Sequence, residues 1–175
     1  MNGVSSVAVG KPPVIAIDGP SASGKGTVAQ AVASALGFHY LNSGALYRTV
    51  AYLALESGAD LEKESILADI ALNLNANFNF DSVELEGRNV TDAIHSEVVG
   101  TAASRIAALP GVRRALLERQ RAFRRPPGLV ADGRDMGTVV FPDAALKIYL
   151  TATPDRKSTR LNSSHSQQSR MPSSA

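Results

Sequence analysis

The sequence predicts an α/β fold built on a parallel sheet, and three observations carry that prediction. The apolar run Val14-Ile15-Ala16-Ile17 passes through a glycine-rich turn into an amphipathic stretch. A second strand–turn–helix unit follows at once, over Phe38–Leu41 and Gly44–Ser57. Leu129-Val130-Ala131-Asp132-Gly133 then restarts the core as another unbroken apolar strand ending near an acid. Continuous apolar runs suit parallel strands covered on both faces, and successive strand–helix units demand that arrangement.

The elements follow in order. Residues 1–12 form a loose extension, and Val14–Asp18 the first strand. Thr27–Leu36 reads as a helix with Val28, Val32 and Ala35 or Leu36 facing inward, stopped by Gly37. After the second strand and helix, Glu62–Asn75 is helical through Ile66, Ile70 and Leu74. Residues 76–90 switch to strand-like alternation: Phe78 and Phe80, Val83 and Leu85, a turn at Glu86-Gly87-Arg88, then Val90. Short antiparallel strands inside a parallel pattern mark residues 62–108 as an inserted subdomain. Glu97–Ala108 and Gly111–Arg124 are helices divided by Pro110. Ala145–Leu150 is a further strand.

The turn after the first strand is Gly19-Pro20-Ser21-Ala22-Ser23-Gly24-Lys25-Gly26-Thr27. Its backbone amides and the positive end of the following helix converge where an anion can sit, which is how a phosphate-binding loop works. Lys25 supplies a mobile charge for a transferred phosphate, and Thr27 a hydroxyl for Mg²⁺. The bland alternative is an ordinary Gly/Ser turn, which leaves Lys25 unexplained. Lys-Gly-Thr is similar to the loop of nucleoside-monophosphate kinases rather than that of GTPases. Asp18, Asp132 and the loop fall together at the carboxyl edge of the sheet, where open α/β sheets bind ligands.

Composition narrows the classes. With 44% hydrophobic residues the chain can bury a core, and with no cysteine it has neither disulfides nor a thiolate metal site. Of its 18 basic residues, Lys157, Arg160 and Arg170 lie in residues 157–175, which hold no acid. Residues 1–156 are therefore close to neutral, and nucleic-acid binding has no electrostatic support. No apolar run is long enough to span a membrane and residues 1–13 lack a signal-peptide core, so the expectation is a cytoplasmic monomer.

Phosphoryl transfer to a phosphate acceptor needs positioning and charge neutralisation, not a general base. The acceptor then calls for a second anion clamp, best made of arginines. Candidates are Ser43 to Arg48 at a helix start, Ser104-Arg105, Arg113-Arg114, and Asp132 to Thr138 at a core strand end.

Three runs, Gly19 to Thr27, Ser-Gly-Ala-Leu-Tyr-Arg at 43–48 and Ala-Asp-Gly-Arg-Asp-Met-Gly-Thr-Val-Val-Phe-Pro at 131–142, together resemble bacterial cytidylate kinases over roughly residues 13–156. The resemblance implies a P-loop monophosphate kinase with a five-stranded parallel sheet and an enlarged acceptor insert. Gly19 to Thr27 would bind ATP, with Ser23 to Thr27 on its phosphates and Lys25 at the transferred group. Ser43, Arg48 and Arg134 would hold the CMP or dCMP phosphate, making Lys25, Arg48 and Arg134 the catalytic set. Ser104, Arg113 and Asp135 would read cytosine. Asp132 resembles the acid that organises Mg²⁺, with Thr27 beside it and Asp18 a weaker helper.

Other residues read as structural. Arg113 and Arg114 share a helix with Arg119 and Arg121, most of them solvated. His39 and His95 have no partner at ligand spacing, Tyr47 reads as helix packing, and Ser21 and Ser23 lack a His/Asp pair for hydrolase chemistry. Residues 157–175 break with the rest: seven of nineteen are serine and no period survives. They read as a disordered or foreign tail on a kinase core, residues 1–156, that lacks the family's lid arginines. Impaired transfer is the expectation.

Overall fold

The computed structural model describes residues 10–151. Four parallel strands form the main sheet: β1 (Val14–Asp18), β2 (His39–Asn42), β6 (Leu129–Gly133) and β7 (Leu146–Tyr149), in the order β2-β6-β1-β7. β6 is buried at every position and β1 nearly so, because both faces are covered, whereas β7 is largely exposed. The resemblance implied five strands; the described residues carry four. Register pairs Ile17 with Asp132 and Asp18 with Gly133, so both acids reach the same carboxyl edge.

Helix α1 (Lys25–Leu36) begins two residues earlier than expected, because Gly24 adopts a left-handed conformation (φ +83°) that turns the loop directly into the helix. Its inner face is only partly the expected one: Val32 packs against the buried cluster as expected, but the helix's buried residues are others. Ala29 and Ala33 are fully buried, while Val28 and Leu36 are 43% and 49% exposed. Two alanines one turn apart let the helix lie close on β1 and β6, and the bulkier residues flank that seam. α2 (Ser43–Glu56) is capped by Asn42, whose Oδ1 accepts the Ala45 N–H at 3.1 Å.

The region expected as an insert comprises α3 (Glu64–Leu72), the antiparallel strands β3 (Ala76–Phe78), β4 (Val83–Leu85) and β5 (Arg88–Asn89), the short α4 (Thr91–Ile94) and α5 (Glu97–Ile106). The β4–β5 turn is Glu86-Gly87, both at positive φ. Phe80 and Val90, expected to alternate as strand residues, lie outside the strands. Phe80 turns instead to Tyr40, with ring centroids 5.6 Å apart. The insert has its own sheet but no separate core. Leu67, Leu85, Ile94 and Ile106 join Leu46, Val50, Leu116, Leu129 and Phe141 in one buried cluster. α6 (Pro110–Arg121) follows, starting on the proline that was expected to divide two helices; proline suits a helix's first turn.

One element is absent from the sequence reading. A π-helical turn over Met136–Val140 follows β6, entered through Asp135 at φ +61°. Asp18 anchors it: its two carboxylate oxygens accept the N–H groups of Met136 (2.8 Å) and Gly137 (2.9 Å). The carboxylate read as a weak helper of Mg²⁺ thus ties β1 to this turn.

Candidate active site

The loop's shape follows from close approaches. A β-carbon on Gly19 would collide with the carbonyl oxygen of Leu150, just past β7, so only glycine fits there. Ala22 is held at φ +63°, an uncommon conformation for a residue with a β-carbon. The first intrahelical bond of α1 runs from Val28 to Gly24, leaving the amides of Lys25, Gly26 and Thr27 without intrahelical acceptors. Lys25 Nζ donates to the Pro20 carbonyl at 3.2 Å, which folds the ammonium back over the loop. Ser23 Oγ is buried without a protein partner. A buried, unpaired hydroxyl among free amides is chemically matched to an anionic oxygen.

Beneath the start of α1 lies Asp132, buried at the end of β6. Tyr40 on β2 donates its hydroxyl to Asp132 Oδ2 at 2.5 Å. Oδ2 lies 3.4 Å from where a β-carbon on Gly26 would sit, so the carboxylate abuts the loop's backbone. Burial raises the Asp132 pKa, opposed by the Tyr40 hydrogen bond and the charge of Lys25. Tyr40 is itself pushed far above the usual phenol range, first by burial and then by its carboxylate partner.

Because folding raises the Asp132 pKa, the folded state binds its proton more tightly than the unfolded chain. The stability this group contributes is full below the ordinary carboxylate pKa and declines as pH rises through the folded value. Asp132→Asn is expected to flatten that decline. Thermal midpoints measured against pH for both proteins test this, and parallel curves would refute it.

Asp132 and the exposed Thr27 offer only oxygen donors, which suits a hard cation such as Mg²⁺. Among the described residues no three carboxylates or histidines cluster closely enough to hold a metal alone. Mg²⁺ takes one or two protein oxygens and completes its shell with phosphates and water.

Ser43, one of the expected acceptor residues, is buried against Gly133, where a β-carbon would collide with Ser43 Oγ. This packs the N-terminus of α2 against the end of β6. The next residue, Arg134, extends Nη2 to within 3.4 Å of Ser21 Oγ, joining the strand end to the loop. Asp135 Oδ2 accepts from Arg113 Nη2 of α6 at 2.7 Å. Arg113 and Arg134 line a cavity of about 440 Å³ together with Tyr47, Met136 and Gln120.

Arg48 and Ser104 meet elsewhere. Arg48 Nη1 donates to the Ile94 carbonyl at 2.9 Å, and its guanidinium lies against Gly100 of α5, 3.1 Å from a β-carbon position there. Ser104 Oγ donates to the Gly100 carbonyl at 3.0 Å. Both flank one glycine, and neither lines the 440 Å³ cavity.

Two tyrosines stand near these residues. Tyr47, read as packing, does pack against the main core and also lines the cavity; burial raises its pKa, with Arg113 pulling it down and Asp135 pushing it up. Its place one turn after Ser43 and next to Arg48 was the available signal. Tyr40 had none, since its partner lies 92 residues away. Arg114 is exposed, as expected for a solvated position, although it also borders the cavity. His39 bonds the Pro126 carbonyl at 2.9 Å, an ordinary strand-end contact. Residues 157–175 lie outside the described residues.

Strand, glycine-rich loop and helix on a parallel sheet, with a second arginine-bearing cleft beside them, define an α/β protein of the P-loop class. The family model for cytidylate kinase matches residues 15–173, running past residue 156, where the sequence resemblance was set to end. A cytidylate kinase of Bordetella bronchiseptica is 58% identical over 155 residues, covering 89% of this chain and 70% of that protein. Those of Nitrosomonas europaea and Pseudomonas aeruginosa PAO1 are each 55% identical, over 148 and 157 residues. The chain spans 66% and 69% of their respective lengths. The chain belongs to the cytidylate kinase family.

Proposed function

We propose that this chain transfers the terminal phosphoryl group of ATP to CMP or dCMP, giving ADP and CDP or dCDP. The contact that carries the reading is Arg134 Nη2 to Ser21 Oγ at 3.4 Å, which joins the end of β6 to the ATP loop, while the next residue, Asp135, is paired with Arg113. The acceptor phosphate is already an ionised nucleophile, so the protein's work is to align it and neutralise charge. In this reading Lys25 and the α1 amides hold the donor phosphates, and Ser23 Oγ gives them a buried donor. Arg134 reaches the phosphoryl group in flight, while Ser43 and Arg48 hold the acceptor phosphate. For Arg48 this requires exchanging or sharing its bond to Ile94.

Asp135 accepts from the cytosine 4-amino group, and Arg113, already paired with it, donates to the ring's acceptor edge. Ser104 would join them from α5. Thr27 and Asp132 would hold Mg²⁺ or its waters; when bound, that ion supplies charge neutralisation on the phosphates. The same reading takes the chain as a cytoplasmic monomer acting on small-molecule nucleotides, with neither nucleic acid nor membrane as partner. No described helix is long and apolar enough to cross a membrane.

Uracil presents a carbonyl where cytosine presents an amino group, and a carbonyl facing Asp135 leaves two acceptors unpaired. ADP release measured with CMP, dCMP, UMP and AMP as acceptors tests the reading. CMP and dCMP are expected to stimulate it most; equal or greater stimulation by UMP or AMP would overturn it.

A further inference from the structure

We infer that Tyr40 is a positioning residue for the metal–nucleotide site: its hydroxyl fixes which oxygen of Asp132 faces the loop, and Phe80 of the insert braces its ring. The inference rests on the reading of Asp132 given above, and it adds a residue outside the three runs that carry the sequence resemblance.

The geometry is specific. β2 and β6 pair in parallel with Tyr40 opposite Val130 and Asn42 opposite Asp132, so Tyr40 and Asp132 lie on one face, two residues apart along the strands. Two residues of strand advance about 6.6 Å, a gap that a phenol bridges and a shorter side chain does not. That face is the one α1 covers, with Val130, Ala29 and Ala33 buried there and Tyr40 packed against them. Among the described residues, Tyr40 is the only side chain that donates to Asp132. With Oδ2 committed to the phenol, the carboxylate cannot rotate freely beneath Lys25 and Gly26.

The brace is separate. The Phe80 ring lies 5.6 Å from that of Tyr40, and the Phe80 carbonyl accepts from Gln30 Nε2 on α1 at 3.3 Å. The segment between β3 and β4 therefore touches both the helix that follows the loop and the tyrosine that holds its carboxylate.

Residues that orient a metal-organising carboxylate typically contribute about 10–100-fold to metal affinity or activity. Tyr40→Phe removes the hydroxyl and keeps the ring. In the full chain it is expected to weaken Mn²⁺ binding to the complex with a non-hydrolysable ATP analogue by at least about tenfold. That binding is measured by electron paramagnetic resonance. Binding of the analogue without metal should change little, while the thermal midpoint should fall somewhat because the buried Asp132 oxygen loses its donor. In an Asp132→Asn background, Tyr40→Phe should add nothing further, because the tyrosine acts through that carboxylate.

Wild-type metal affinity in Tyr40→Phe would overturn the inference, and so would an independent, additive loss in the double variant. Phe80→Ala should move metal affinity the same way by a smaller factor; no movement would remove the brace. Absence of CMP-dependent ADP release would count against the proposed reaction, while the Mn²⁺ measurement still decides the role of Tyr40.

Discussion

Arg134→Ala is expected to lower kcat for CMP phosphorylation by about 10³-fold, at the low end of what an arginine acting on transferring phosphoryl contributes. The side chain is exposed and makes one long bond, to Ser21 Oγ at 3.4 Å, so little of the fold depends on it. Its removal should shift stability by no more than about 0.5 kcal/mol, as for other surface positions. The loss should fall on kcat more than on KM, because in this reading Arg134 pairs with charge that develops during transfer. Arg134→Lys should recover only part of it. An ammonium offers a point charge where the guanidinium offers a planar fork able to span two phosphate oxygens. Steady-state kinetics with ATP and CMP, alongside thermal unfolding, check both variants. A kcat near wild type would remove Arg134 from the chemistry.

What the sequence made legible was whatever local chemistry alone decides. β1 and β6 were readable because strands covered on both faces are apolar throughout. The loop was readable because glycines bracket a lysine between a strand and a helix. The small antiparallel sheet announced itself by a change of period after residue 75, but the packing of its flanking helices into the main core did not, since Leu67 and Ile106 meet Leu116 and Leu129 only in three dimensions.

The misses have one physical origin, contacts between residues distant in sequence. The π-helical turn at Met136–Val140 is anchored by Asp18, 118 residues before it. Tyr40 has its meaning from Asp132. The inner face of α1 was misjudged because helical periodicity rewards the bulkiest apolar residues, whereas a helix lying close on a sheet selects the smallest. The candidate acceptor residues could be listed from sequence, yet sequence could not show that they fall into two groups. Arg113, Arg134 and Asp135 gather near Tyr47, and Arg48 and Ser104 gather about Gly100.

Asp135→Asn provides the sharpest test of base recognition, and the backbone dictates the choice of asparagine. Asp135 sits at φ +61°, a conformation that asparagine adopts more readily than alanine, so alanine would mix strain with lost recognition. The ion pair with Arg113 is short, at 2.7 Å, but its side chains are 38% and 48% exposed. Such a pair contributes at most about 1 kcal/mol to stability, and the variant should unfold near the wild-type temperature. Recognition should suffer far more. A carboxylate accepting from the cytosine amino group forms a charge-assisted bond worth about 1.5–3 kcal/mol, so kcat/KM for CMP should fall about 10–100-fold. The asparagine amide can instead donate to the carbonyl that uracil carries at the same ring position. UMP should therefore lose less than CMP, or gain, and the CMP-to-UMP preference should narrow. An equal loss on both acceptors would mean that Asp135 serves the site by holding Arg113 and does not read the base.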